Sequence, residues 1–436
     1  MILNRKIFYQ LENWKQKNNR KSLVLQGARQ VGKTYALREF GRRNYEEVLE
    51  INFKKTPSDA GIFNGNLNVD TLITAMQFRY PEKKMIPGKT LIVLDEIQEC
   101  EEAITSLKFW TEDGRFDVVA SGSMLGIDYK RASSYPVGYV EYLQMYGLDF
   151  EEYLWARGIK EEMIENLRQM FLKKEIVPTA IHTRMMELLR EFISIGGMPE
   201  VVSAFVESMD YRLADKIQRE LLTGYQYDIA HYAVAEEKVK AEKCYLSLGK
   251  QLLDKENHKF QYKEVESGGR AYKYYSSIDW LLKADLIDLC KAVSDIKYDL
   301  SDYARDDIFR AYTTDLSLLI SMREFGLKQY IVENTILDNT KGGIYECLLA
   351  DFLIKKEFPM YYYKNDTTKK EIDFITQKDG AIIPIEVKSG KKKASSLNWL
   401  MNNNSSIPIA YKFMDGNVGM GENRIITMPL YMAMFL

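Results

Sequence analysis

The run Gly27-Ala-Arg-Gln-Val-Gly-Lys-Thr34 fits GxxxxGK[ST] at every fixed position. The residue types suit one task, holding phosphate. Glycines let backbone N–H groups close around phosphate oxygens, and the positive end of a following helix adds to the attraction. Lys33 would neutralise the β- and γ-phosphates of a nucleotide, and the Thr34 hydroxyl would ligate Mg²⁺. Gly27, Ala28, Arg29, Gln30, Val31 and Gly32 complete the expected nucleotide-binding run. Leu91-Ile-Val-Leu-Asp-Glu96 supplies a second half: four apolar residues, then adjacent carboxylates. Asp95 would hold the Mg²⁺ shell, and Glu96 would polarise an attacking water. An apolar run ending in Asp-Glu is commonplace alone; downstream of a phosphate loop it reads as catalytic. At Ala120-Ser-Gly-Ser123, Ser123 or Ser121 could contact the γ-phosphate, with an ordinary Ser-Gly turn as the bland alternative. Arg115 and Arg131 are candidate arginine fingers.

A second constellation lies near the C-terminus. Asp373, Glu386 and Lys388 form D-x₁₂-E-x-K across a predicted hairpin, and an upstream helix carries Glu346. On a strand, Glu386 and Lys388 share a face. Carboxylates in such a set hold Mg²⁺, and the lysine positions or deprotonates a water for attack on a phosphodiester. The segment looks like the PD-(D/E)xK nuclease fold. Four lysines within Lys388-Ser-Gly-Lys-Lys-Lys393 add an edge suited to a phosphate backbone. The bland alternative is a solvated strand with its charges facing outward. His182, His231 and His258 accompany no Ser or Cys motif and support no nucleophilic triad.

The elements that must position these groups follow from the pattern. Ser22–Gln26, Val48–Phe53, Thr90–Leu94 and Asp117–Ala120 read as strands alternating with helices, and their uninterrupted apolar runs suit a parallel sheet covered on both faces. From about Leu148 to Lys240 the pattern is helical, broken by Gly196-Gly-Met-Pro199. Residues 241–300 read as a small winged-helix-like module, with Trp280–Leu289 passing from helix into strand and Ile296–Leu300 as a second strand. From Ser301 the chain is α/β again, with Asp379-Gly380 as a hairpin turn. The expected domains are 1–150, a P-loop core; 151–240, a helical lid; 241–300, winged-helix-like; and 301–436, nuclease-like. About three domains is also what 436 residues suggest.

Composition narrows the class. Hydrophobic residues make up 46% and charged residues 28%, too apolar for a disordered chain. Four scattered cysteines without a CxxC pair argue against a zinc ribbon or disulfide framework and suggest a reducing compartment. No apolar run is long enough to span a bilayer, and the N-terminus lacks a signal-peptide core. A cytoplasmic protein with no membrane partner is expected. The net charge of −2 argues against a histone-like binder but is silent on local basic patches.

The phosphate loop, Leu94-Asp-Glu-Ile-Gln98, Ser121-Gly-Ser123, Gly196-Gly-Met-Pro-Glu-Val201, Phe309-Arg-Ala-Tyr-Thr-Thr-Asp-Leu-Ser-Leu-Leu319 and the Glu-Ile-Asp-Phe and Ile-Glu-Val-Lys segments together resemble the prokaryotic AAA-type ATPases that carry a C-terminal domain of unknown function. The resemblance runs from about Arg5 to Gly390. It implies an α/β multidomain protein with an ASCE-type P-loop sheet, a helical lid, a winged-helix-like module and a restriction-endonuclease-like terminal fold. Relatives often carry a basic residue where this chain reads Val137-Gly-Tyr139, so a finger at that position is not carried over. The leading expectation is an ATP- and Mg²⁺-dependent ATPase coupled to nucleic acid. The alternatives are an ATP-gated, metal-dependent DNA nuclease and a non-catalytic ATP switch that binds a protein partner or a second copy.

Overall fold

A computed structural model describes residues 3–122, 138–233, 235–253, 259–336, 338–365, 367–390, 393–421 and 423–436. The chain divides into two compact units. One comprises Arg5–Tyr146 with Lys283–Asp285, and the other is built from Gly147–Leu282 and Leu286–Leu436.

The first unit runs α1 (Ile7–Lys15), β1 (Ser22–Gln26), α2 (Lys33–Asn44), β2 (Glu47–Asn52), α3 (Val69–Arg79), β3 (Thr90–Asp95), α4 (Glu101–Asp113), β4 (Asp117–Ser121) and β5 (Val140–Gln144). Its strands form one sheet in the order β2-β3-β4-β1-β5, and every pairing is parallel. Successive side chains of a strand point to opposite faces, and here both faces are covered. Leu23, Leu25, Leu91, Val93 and Val119 pack with α1 and α2. Val24, Ile92, Leu94, Val118 and Ala120 pack with α3 and α4. The apolar runs predicted as buried strands are therefore buried on both sides.

In the second unit, α5 (Phe150–Ala156), α6 (Glu161–Lys173), α7 (Thr179–Ile195), α8 (Pro199–Ser208), α9 (Tyr211–Tyr232), α10 (Ala235–Leu253), α11 (Tyr262–Val265) and α12 (Ala271–Lys283) come first. There follow β6 (Ile287–Val293), β7 (Ala304–Thr313), α13 (Leu316–Ser321), α14 (Gly326–Glu333), α15 (Asp338–Lys355), β8 (Tyr361–Asn365), β9 (Lys370–Lys378), β10 (Ala381–Lys388), α16 (Ser395–Asn403), β11 (Ala410–Met414), β12 (Gly419–Met420) and β13 (Ile425–Pro429). The strands build one mixed sheet, β12-β13-β11-β10-β9-β8-β6-β7. Asp379 and Gly380, both at positive φ, make the two-residue turn joining β9 to β10.

The strand expected at Ile296–Leu300 does not form. Asp299 caps a 3₁₀ turn at Leu300–Tyr303 instead, and the antiparallel partner of β6 is β7. Because β6 also pairs with β8, the hairpin belongs to the terminal sheet, and the border expected between residues 300 and 301 cuts through it. The reason is hydrogen bonding: a central strand needs partners on both edges, and only the later strands can supply them.

The Gly196-Gly197 break has a clear cause. A Cβ on Gly197 would lie 2.1 Å from the Leu148 carbonyl oxygen, and Gly196 sits at φ 73° against Ser317. The turn is fixed from below by Asp315, which accepts the Gly197 N–H at 2.8 Å and caps α13 through the Ser317 N–H. Lys355, buried like its partners, reaches Asp351 at 2.9 Å, Asp315 at 3.6 Å and the Leu148 carbonyl at 3.0 Å. The motif is thus a packing joint. All four cysteines are buried, and none is part of a disulfide.

Candidate nucleotide-binding site and a buried carboxylate cluster

The phosphate loop joins β1 to α2. Gly27 at φ 145° passes so close to β5 that a Cβ would meet the Met145 carbonyl oxygen at 2.1 Å. Gln30 (φ 64°) and Gly32 (φ 99°) adopt the left-handed backbone that turns the loop back onto the helix start. Arg5 braces it from α1's side, donating to the Val31 carbonyl at 3.2 Å and to the Tyr146 carbonyl. Lys33 leads into α2 and folds over the loop, donating to the carbonyls of Gly27 (2.6 Å) and Ala28 (2.7 Å). Burial lowers its pKa to about 8, against the raising influence of Glu96.

Parallel register brings the other groups to the same sheet end. Asn52 of β2 pairs with Asp95 of β3, and Asp95 with Ser121 of β4. Asp95, 2% exposed, gathers donors from three elements. The Thr34 hydroxyl lies 3.0 Å from both of its oxygens, Asn52 Nδ2 donates at 2.6 Å, and the Ser121 hydroxyl donates to Oδ1. Thr34 and Asp95 are oxygen donors of the kind a hard cation takes alongside nucleotide phosphates and water. The residues present fit Mg²⁺ and ATP. Glu96 follows at φ 56°, a left-handed conformation that costs a non-glycine residue free energy and recurs at functional sites.

Other expectations land elsewhere. Ser123 and Arg131 lie outside the described residues, as does His258. Arg115 stands just before β4 begins, at the sheet end opposite the phosphate loop, and is tied to Asp113 and Asp70. Within its own chain it stands at the wrong end of the sheet to reach a phosphate held at Lys33, so strand direction excludes it as a finger in cis. His182 contacts the Tyr431 hydroxyl at 3.1 Å, a packing role. Sequence reading missed Asn52. Its signal was its position at the end of the strand beside Asp95.

Residues 19–154 match the family model described as an AAA domain. That stretch of the first unit is similar to an AAA domain. Within it, β4 intervenes between β1 with its phosphate loop and β3 with its Asp-Glu pair, the arrangement expected of an ASCE-type sheet. Residues 186–329 and 341–431 match two models described as domains of unknown function, DUF8612 and DUF4143. No curated protein sequence matches the chain. Among solved structures, the chain is similar to a Walker-type ATPase of Pyrococcus abyssi (12% identity, 74% of this chain and 96% of that one, TM-score 0.43). It is also similar to the ORC1 protein of Aeropyrum pernix in complex with DNA (13%, 77% and 92%, 0.28) and to Drosophila ORC bound to DNA (11%, 76% and 94%, 0.25).

In the second unit, the terminal cluster does assemble. Antiparallel register sets Ile385 opposite Phe374 and so Glu386 beside Asp373. Lys388 Nζ lies 2.6 Å from Glu386 and 3.8 Å from Asp373. Asp373 accepts the Val387 N–H at 2.8 Å, and Glu386 accepts that of Leu397 at 3.3 Å. The solvated-strand alternative fails, because Glu346, Asp373 and Glu386 are all buried. Burial pushes the Glu386 carboxyl up, while Asp373 and Glu386 hold Lys388 charged against its own burial.

Glu346, on α15, has a different partner from the one expected. Arg310 of β7, fully buried, donates to it at 2.9 Å and to Glu371 at 2.6 Å, and the Tyr312 hydroxyl donates to it at 2.7 Å. Arg310 and Tyr312 went unnoticed in the sequence. Their signal was the period-2 alternation of polar Arg310 and Tyr312 with apolar Phe309 and Ala311. Among the described residues, no three His, Cys, Asp or Glu side chains are grouped so as to hold a metal ion. No helix among them is long and apolar enough to cross a membrane.

Proposed function

We propose that the AAA domain binds ATP with Mg²⁺ and hydrolyses it. The observation that supports this best is the convergence of Lys33, Thr34, Asp95 and Glu96 at one end of a parallel sheet. The loop N–H groups and Lys33 bind the β- and γ-phosphates, Lys33 leaving the loop carbonyls it contacts without nucleotide. Thr34 and Asp95 hold Mg²⁺, which when bound supplies positive charge to the phosphate oxygens. Asn52 and Ser121 keep the Asp95 carboxylate oriented. Glu96 accepts a proton from the water that attacks the γ-phosphorus. Ser123 remains part of the proposal as a γ-phosphate contact.

The test is Glu96→Gln, which keeps shape and removes the base. Phosphate release should fall about 100-fold while ATP binding is retained. Unchanged turnover would remove Glu96 from the role. A chain that binds ATP tightly but turns it over no faster than this variant would be a switch instead of a hydrolase.

We further propose that turnover is coupled to nucleic acid without cleaving it. A nuclease of this type needs carboxylate oxygens open to Mg²⁺. Here Arg310 and Tyr312 donate to Glu346 Oε1, the Val387 N–H and Lys388 meet Asp373 Oδ2, and Lys388 and the Leu397 N–H take the two oxygens of Glu386, and we read the cluster as a buried ion-pair core. ATP hydrolysis with single- and double-stranded DNA should rise, with the stimulation fading steeply across a salt series. Identical rates at every salt concentration would point to a protein partner or a second copy of the chain.

A further inference from the structure

Glu96 does not stand alone at the end of β3. Two residues on, within the single 3₁₀ turn Ile97–Glu99, Gln98 donates its Nε2 to Glu96 Oε2 at 2.5 Å. The amide orientation is dictated by chemistry, since a carboxylate accepts hydrogen bonds and can face only the NH₂ end. The other end of the amide has a different fate. Gln98 Oε1 is buried and accepts no hydrogen bond among the described residues. It lies against the end of β4, where a Cβ built on Gly122 would come within 2.7 Å of it.

An unsatisfied buried acceptor costs about 1–3 kcal/mol. Gln98 as a whole is only half-buried, so other rotamers would return that oxygen to water. Instead the amide is held between the Glu96 carboxylate on one side and the Gly122 backbone on the other. Glu96 itself carries backbone strain at φ 56°, and Ile97, 1% exposed, anchors the turn between the two side chains. Costs borne at two neighbouring residues, both serving to fix one carboxylate, are a pattern expected where orientation matters to function.

We propose that Gln98 is the positioning residue of the hydrolytic site. Its amide fixes one oxygen of Glu96, leaving the second oxygen, which accepts no hydrogen bond among the described residues, to face the attacking water. The proposal rests on the hydrolytic reading of Glu96 and assigns how that carboxylate is aimed. Without the amide, the carboxylate samples other orientations and fewer encounters with water are productive.

Steady-state ATP hydrolysis of the full chain tests this with three variants. Gln98→Ala should lower kcat about 10- to 100-fold, the scale of a misaimed catalytic group, with KM and the affinity for a fluorescent ATP analogue within about twofold of the original. The double variant Gln98→Ala/Glu96→Gln should be no slower than Glu96→Gln alone, because the effect passes through Glu96. A merely structural glutamine would not produce the non-additivity. The proposal is overturned by wild-type kcat in Gln98→Ala, by independent losses that multiply in the double variant, or by ATP affinity lost together with kcat. Wild-type turnover in Glu96→Gln would instead overturn the hydrolytic reading, and this proposal with it.

Discussion

Replacing Lys33 by alanine is expected to weaken ATP binding about 1000-fold, the equivalent of about 4 kcal/mol for removing one member of a buried, hydrogen-bonded charge pair. The fold should survive, because the lysine's contacts without nucleotide are two carbonyls of its own loop. The more discriminating result is the dependence on pH. Burial has lowered the Lys33 pKa to about 8, whereas phosphate oxygens favour the charged form and raise it on binding. Binding therefore takes up a proton once the pH exceeds about 8, and affinity should fall above that point, approaching tenfold per pH unit. Lys33→Arg, which stays charged, should bind with an affinity nearly flat over the same range. Stability of the nucleotide-free chain runs the other way. Between about 8 and the ordinary lysine value of 10.5, the unfolded chain binds more protons at this position, so Lys33 makes the folded state more stable as pH rises through that window. Calorimetric titrations in buffers of differing ionisation enthalpy would read the proton uptake directly. A pH-independent affinity for the unaltered chain up to pH 10 would show that Lys33 does not meet the phosphates.

How much of this could be read from the sequence depended on how local each feature was. The phosphate loop, the Asp-Glu pair and their flanking strands were legible because each is a short run whose chemistry and hydrophobic period coincide. The β9–β10 hairpin was legible for the same reason, with Asp379-Gly380 marking its turn. Asn52 was not, since its importance comes from register with Asp95, a residue it meets only through strand pairing. The β6–β7 hairpin was misplaced because the charged stretch Arg305-Asp-Asp307 hides a strand whose edge is exposed, while apolar Ile296–Leu300 imitates one. Arg115 was open to exclusion in cis from chain direction alone, because it precedes the predicted strand Asp117–Ala120 and so falls at the end of a parallel sheet opposite the loop that follows Ser22–Gln26. The terminal cluster was found by spacing, but its character was decided by Arg310, which lies 36 residues from Glu346 along the chain.

Arg310→Met is expected to destabilise the second unit by about 3–5 kcal/mol, the usual consequence of stranding a buried charge. Arg310 has no exposed surface, and burial alone would favour its neutral form, yet Glu346, Tyr312 and Glu371 hold its pKa well above the ordinary guanidinium value. Removing it takes a charged donor from Glu346, which is 3% exposed and also accepts from the Tyr312 hydroxyl. The pair should be worth less than either loss implies. Arg310→Met/Glu346→Gln removes both charges and should recover most of the stability, because the desolvation cost of an ion pair largely offsets its attraction. Unfolding by denaturant, followed through the second unit's own tryptophans in chains with Trp14 and Trp110 replaced by phenylalanine, would report the change as a shift in midpoint. The same variants separate the two readings of the cluster. If Arg310 stands where a metal ion would otherwise sit, millimolar Mg²⁺ or Mn²⁺ should restore stability to Arg310→Met and leave the double variant unaffected. If the cluster is an ion-pair core, neither metal should stabilise any of the three proteins. We expect the second outcome, since Lys388 and the Val387 and Leu397 N–H groups still occupy Asp373 and Glu386 after Arg310 is gone.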